Sequence, residues 1–267
     1  MEINSLFNIR GKTAIVTGGS RGIGEMITAA FLANGVKTYI TARKAPALME
    51  KASELSKKFG GECIPIPCDL STNQGIQDFV AEIRARESSL NFLINNAGAA
   101  WAQPLMEYSE DGWDKVMDLN VKSLFFLTQK LTPLLSENSS FDNPSKVINI
   151  GSIDGINTAA FESFAYSASK AAVHHLTKVL AARLIKEKIV VNAIAPGPFA
   201  SNMLGSAVGH DYSIIAQNNP SKRIGSPEDI GGLTVFLCSR AGNYIVGETI
   251  TCDGGLVARA GHNLSNS

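Results

Sequence analysis

Ser152, Tyr166 and Lys170 supply a hydroxyl, a phenol and an ammonium within nineteen residues, in the stretch GSIDGINTAAFESFAYSASK. In a helix, Tyr166 and Lys170 at i and i+4 share one face, one turn apart. The apolar run Val147 to Ile150 delivers Ser152 to the end of a buried strand. A phenol ordinarily titrates near 10, too high for proton transfer at neutral pH. A cation within about 4–6 Å favours the phenolate and lowers that value, and acid–base groups work best near the operating pH. Tyr166 is thus the expected proton carrier, Lys170 its tuner, and Ser152 a hydrogen-bond donor to a reacting carbonyl oxygen. YxxxK alone also describes a core tyrosine beside a solvated lysine, so its meaning depends on what positions it.

The positioning elements alternate. Strands are expected at Lys12–Thr17, Val36–Thr41, Cys63–Pro67, Leu90–Asn95, Val147–Ile150, Ile189–Ile194 and Glu248–Cys252. Helices are expected at Glu25–Asn34, Pro46–Phe59, from a Ser71 cap to about Arg86, Glu110–Leu135, Phe164–Lys186 and Pro227–Cys238. Alternation of this kind predicts a parallel sheet covered on both faces, and unbroken apolar strands such as AIVT and FLIN suit it. No repeat, low-complexity tract or linker divides the chain, so residues 1–267 are expected to form a single domain.

Other short motifs sit at strand ends. Gly18, Ser20, Arg21, Gly22, Ile23 and Gly24 lie in a glycine-rich turn between the first strand and helix. Glycines there let backbone N–H groups approach a pyrophosphate at the helix N-terminus. The spacing is G-x-x-x-G-x-G rather than the common G-x-G-x-x-G. Asn96, Ala97 and Gly98 follow strand four, where they fit one side of a cofactor cleft or form an ordinary turn. Asn120 falls inside the long helix. Pro196 and Gly197 follow strand six. An NAD site places an acid about 20 residues after the glycine turn, whereas strand two ends Thr41-Ala42-Arg43-Lys44. Arg43, joined by Arg21, is placed for a 2′-phosphate, so the expected cofactor is NADP(H).

Composition narrows the function. At 267 residues and 45% hydrophobic, the chain can bury a sizeable core. Zero formal net charge argues against a dedicated nucleic-acid or anionic-membrane binder. Cys63, Cys68, Cys238 and Cys252 form no CxxC pair, which points to a reducing, cytoplasmic setting. The N-terminus lacks an apolar signal segment, no run is long enough to span a membrane, and the terminal SNS is no peroxisomal address. His174, His175, His210 and His262 make no metal-ligand spacing, so no metal is expected, and His174-His175 read as ordinary helix residues.

TGGSRGIG, NNAG, the Asn120 helix, Ser152, YSASK and APG resemble, in order and spacing, the short-chain dehydrogenases/reductases. The resemblance covers roughly residues 8 to 257. It implies a doubly wound, seven-stranded parallel Rossmann sheet and a nicotinamide cofactor. It implies that Tyr166 is the general acid in reduction, Ser152 binds the substrate oxygen, and Lys170 holds the nicotinamide ribose. Asn120 would hold, through its backbone, a water linking Lys170 to solvent. Ser201 would bond the nicotinamide carboxamide, and Asp69, with Leu70, would line the adenine. A homotetramer is implied, with Leu124, Phe125, Leu131, Leu176 and Leu180 as compatible contact positions.

Within the family the likeness is greatest to 3-oxoacyl reductases of the acyl-carrier-protein type, those of the rhamnolipid pathway nearest. It implies a 3-oxoacyl thioester substrate, on acyl carrier protein or coenzyme A. Lys178, Arg183, Lys186 and Lys188 could give carrier docking a positive surface. Sugar, polyol and steroid dehydrogenases share the scaffold and stay open, as does a non-catalytic dinucleotide sensor, although such a protein would be expected to lose the acid–base set. The long connection Phe199 to Arg223 is expected to be a substrate lid. Met203, Leu204, Val208, Tyr212, Ile214 and Ile215 are expected mainly on a buried lid face, while Trp101, Ile153 and Phe199 are pocket candidates.

Overall fold

The computed structural model describes residues 2–159, 161–209 and 211–259. His210 and His262 lie outside the described residues, as does the side chain of Val208. Seven strands form one sheet: β1 (Thr13–Thr17), β2 (Lys37–Ala42), β3 (Cys63–Pro67), β4 (Phe92–Asn95), β5 (Ser145–Ile150), β6 (Ile189–Pro196) and β7 (Thr249–Cys252). Their order is β3-β2-β1-β4-β5-β6-β7 and every pairing is parallel. The helices are α1 (Ile3–Leu6), α2 (Gly22–Ala33), α3 (Ala45–Phe59), α4 (Asn73–Arg86), α5 (Glu110–Met117), α6 (Ser123–Glu137), α7 (Phe164–Leu184), α8 (Asn202–Val208), α9 (Ser213–Asn218), α10 (Pro227–Cys238) and α11 (Leu256–Arg259).

Strand side chains alternate between two cores. Ala14, Val16, Phe92 and Ile94 pack with Ile27 and Phe31 of α2, Leu48 of α3 and Ile230 of α10. Ile15 and Leu93 point the other way, onto Phe79 of α4, Leu131 of α6 and Leu184 of α7. This is the period of two that a strand buried on both faces must show. The chain winds outward from β1 to β3, then returns to place β4 on the other side of β1. That reversal opens a crevice at the carboxyl ends of β1 and β4, where doubly wound sheets hold their ligands.

The structure changes or refines several local expectations. Thr72, not Ser71, caps α4: its Oγ1 accepts from the Gly75 N–H at 3.0 Å, while the Ser71 N–H and hydroxyl go to Asp69. The expected long helix is α5 and α6 joined by a π turn, Asp118–Lys122. The connection after β6 is partly helical, as α8 and α9. Leu124 and Leu131 are buried within the chain itself, which removes them as contact positions.

Candidate active site

β5 ends at Ile150, and Gly151 N–H still bonds to Ile194 of β6 at 2.8 Å. Ser152 is the first residue beyond the sheet. It is 8% exposed, and its Oγ accepts from the Asp154 N–H at 3.1 Å, opening a single 3₁₀ turn, Ile153–Gly155. α7 then brings Tyr166 and Lys170 onto the same site, the phenol hydrogen-bonded with Ser152. Lys170 Nζ donates to the Ile150 carbonyl at 2.8 Å and lies 5.5 Å from the Tyr166 ring centroid.

The structure reverses one electrostatic expectation. Burial pushes the Tyr166 phenol up to about 12; the Ser152 hydrogen bond pulls it back, and the Asp154 carboxylate adds to the rise. Lys170 is not among the groups that move the phenol, and burial lowers its own ammonium to about 8. Desolvation disfavours the charged form of each. The phenol is therefore fully protonated at neutral pH, the state a general acid requires.

Asn120 occupies the π turn and is 2% exposed. Its Oδ1 accepts from Ala99 N–H at 2.8 Å, and its Nδ2 donates to Ala99 O at 3.0 Å and to Ser169 Oγ at 2.9 Å. The side chain thus ties the loop after β4 to α7, and Gly98 lets Asn120 and Lys170 approach. Ser169, one residue before Lys170, was not legible as a partner. A π turn is itself a frequent mark of functional sites, but no sequence pattern announces it.

Across the crevice lies the glycine turn. Gly18 and Gly22 have φ of +65° and +53°, the left-handed region that glycine enters without penalty. The N–H groups that open α2 have no intrahelical partner and carry the positive end of its dipole. Asn96 clasps the turn, its Nδ2 donating to Thr17 O at 2.8 Å and Gly18 O at 3.2 Å. The Ala97 N–H donates to Thr17 Oγ1 at 2.9 Å. At Gly24 a Cβ would stand 2.3 Å from Gly18 O and 2.4 Å from Asn96 Nδ2. Gly24→Ala is therefore expected to displace the turn and cost about 1–3 kcal/mol, a fall in melting temperature that calorimetry of the cofactor-free protein reads directly.

The remaining cofactor candidates line the same crevice. Arg21 and Arg43 are exposed at its rim and Ser20 is half-buried; Ile23 packs partly on the core. Asp69 Oδ1 is occupied by Ser71, and the Leu70 side chain is core, so Leu70 has only its backbone to offer. Pro196 closes β6; Gly197 N–H bonds to Cys252 O, and a Cβ at Gly197 would stand 2.7 Å from Asp253. Ser201 caps α8 by accepting from Leu204 N–H and lies against Gly22.

The substrate side departs further from expectation. Phe199 is a core residue, 3% exposed and packed on Gly225, not a pocket residue. Trp101 stacks on Gly112 of α5, under Lys115. Met203 and Ile214 are exposed rather than buried, and Leu204, Tyr212 and Ile215 are half-buried. Arg183, Lys186 and Lys188 stand at the far end of α7, roughly 25 Å or more along its axis from Tyr166, and Arg183 pairs with Glu187. They cannot form a positive mouth to the crevice. His174, expected to be an ordinary helix residue, belongs to the site: its Nε2 accepts from Ser152 N–H at 3.4 Å. Its place one turn after Lys170 was the available signal.

The sequence model of the family described as Enoyl-(Acyl carrier protein) reductase matches residues 18–257. The chain is 42% identical over 251 residues to the rhamnolipids biosynthesis 3-oxoacyl-(acyl-carrier-protein) reductase of Pseudomonas aeruginosa, covering 93% of this chain and 97% of that protein. It is 33% identical to the short-chain dehydrogenase/reductase PhomF of Diaporthe leptostromiformis, over 94% of this chain and 92% of the relative. A solved Pseudomonas aeruginosa RhlG/NADP active-site complex superposes with a TM-score of 0.90 at 41% identity, covering 96% of this chain and all of that one.

Proposed function

The chain belongs to the short-chain dehydrogenase/reductase family, and from that premise we propose that it reduces a 3-oxoacyl thioester to the 3-hydroxyacyl thioester with NADPH. The observation that carries the chemistry is a protonated phenol hydrogen-bonded with a buried serine beside a buried lysine, across a crevice from a glycine turn. The substrate class is supported by the 42% identical 3-oxoacyl reductase, and the cofactor by the NADP complex of similar fold. Such a step belongs to fatty-acid metabolism.

The turn fits a dinucleotide. Its cradle exists because residues 18, 22 and 24 lack side chains, and unpaired N–H groups at the start of α2 suit a pyrophosphate. In this reading Gly18, Ser20, Arg21, Gly22, Ile23 and Gly24 hold the phosphates and Arg43 the 2′-phosphate. Asp69 and Leu70 line the adenine, Asn96, Ala97 and Gly98 the adjoining wall, and Pro196, Gly197 and Ser201 the nicotinamide end. NADPH, when bound, supplies a hydride to the carbonyl carbon. Ser152 donates a hydrogen bond to the carbonyl oxygen and polarises it. As negative charge grows there, Tyr166 Oη gives up its proton to that oxygen, because an alkoxide is a stronger base than a phenolate. Lys170 orients the ribose and, with the Asn120 turn, returns a proton to Tyr166. Residues 199–223 act as the lid.

We also propose a homotetramer in the cytoplasm. Exposed apolar residues on α5, α6 and α7 — Trp113, Phe126 and Val179 — support assembly, and four free cysteines suit a reducing compartment. Acyl carrier protein is the weaker carrier assignment, since Arg183, Lys186 and Lys188, three of the four basic residues named for docking, lie at or beyond the far end of α7. The test is kcat/KM for one 3-oxoacyl group on carrier protein, on coenzyme A and on a short thioester mimic, beside sugar and steroid ketones. Thioester turnover is expected to exceed the others. Three inert thioesters beside an active sugar or steroid would refute the acyl reading and leave only the reductase.

A further inference from the structure

Ser152 stands where the sheet stops. Gly151 N–H is the last amide of β5 taken by β6, through Ile194 O. The next amide, that of Ser152, is buried and has no strand to pair with. His174, 9% exposed on α7, receives it through Nε2 at 3.4 Å. The ring also bonds to the Gly155 backbone, at the other end of the 3₁₀ turn that Ser152 opens. It lies so close over the strand end that a Cβ at residue 151 would come within 2.1 Å of Nε2, which only glycine avoids. One imidazole thus spans Gly151, Ser152 and Gly155.

On the reductase reading given above, we propose that His174 is the positioning residue for Ser152, its neutral imidazole accepting the Ser152 N–H and bracing the turn that aims the hydroxyl. The tautomer follows from the partners: Nε2 accepts, so the proton sits on Nδ1 and is donated to the Gly155 carbonyl. Protonation of Nε2 would set two donors face to face. It would also add a cation beside Lys170 and Lys178 on the same helix, both of which, after burial, hold the imidazole below its ordinary 6.5. The facing strands β5 and β6 carry no acid, Asp154 is the one acid of the facing turn, and the Gly155 backbone raises the imidazole without reversing the net fall. The brace is therefore whole above about 6.5, the unfolded value, and is lost as pH falls through the depressed folded one.

The test compares His174→Gln, which keeps an acceptor and a donor but cannot titrate, with His174→Leu, which keeps neither. His174→Leu is expected to lose about 10- to 100-fold in kcat, from an unpaired buried N–H that no longer fixes Ser152, with KM little changed. His174→Gln is expected to restore most of kcat and to flatten the acid limb of the wild-type profile. Independently of any substrate, the Ser152 amide ¹⁵N shift should titrate with His174 in the wild type and stay still in His174→Gln. A Leu variant with native kcat, a Gln variant as impaired as Leu, or a Ser152 amide indifferent to pH overturns the proposal. A wild type inert to every ketone would instead count against the reductase reading, while the amide titration still decides this one.

Discussion

Tyr166→Phe is expected to fold, to bind NADPH with near-native affinity and to lose roughly 100- to 10,000-fold in turnover, the range a positioned general acid supplies. The substitution removes one oxygen and keeps the ring over which the Lys170 ammonium lies. Ser152 retains the Asp154 N–H as a partner, so the site does not collapse. What disappears is the proton that Tyr166 delivers to the carbonyl oxygen, while the hydrogen bond from Ser152 remains. Stopped-flow reduction by NADPH, with a fluorescence titration of the cofactor, separates the two effects. A Phe variant with a near-native rate on the true substrate would remove Tyr166 from the mechanism. The pH dependence follows with its sign. A phenol raised to about 12 by burial is protonated across the neutral range. Reduction should thus show no loss from this group until the pH approaches that value. The reverse oxidation needs the phenolate and should rise with pH over the same interval.

Arg43→Ala is expected to lower kcat/KM for NADPH about 10- to 100-fold while changing that for NADH little. A hydrogen bond to a charged group is worth about 1.5–3 kcal/mol, and a guanidinium can present two to one phosphate. The residue is well placed: β2 pairs with β1 through Thr17 and Thr41, and the Gly18 N–H bonds to Thr41 O at 2.8 Å. The turn and the end of β2 therefore move as one piece, carrying Arg21 and Arg43 together at the rim. Both are exposed, so the preference should weaken as salt rises. Equal or better efficiency with NADH in the wild type would overturn the NADP assignment, and an Arg43 variant with unchanged preference would shift it to Arg21.

The sequence by itself determined the parts whose physics is local. Alternating apolar strands and capped helices, broken by Gly35 and Gly60, specify the order of elements, and parallel pairing follows from it. The glycine turn, the Tyr166–Lys170 spacing and the basic end of β2 depend on residue types within a few positions of one another. Tertiary structure decided everything set by solvent exclusion or by distance across the fold. Burial, a property of many residues at once, raised the Tyr166 phenol where the sequence alone favoured lowering it. The Asn96 clasp and the Asn120–Ser169 bond join segments 79 and 49 residues apart. Phe199 became core because its ring packs on Gly225, 26 residues on, and Arg183 fell far from Tyr166 because α7 carries the chain away from the crevice. His174 entered the site because the hydrogen bonding between β5 and β6 ends at the Gly151 N–H, one residue before Ser152, leaving a buried N–H that a side chain from another element accepts.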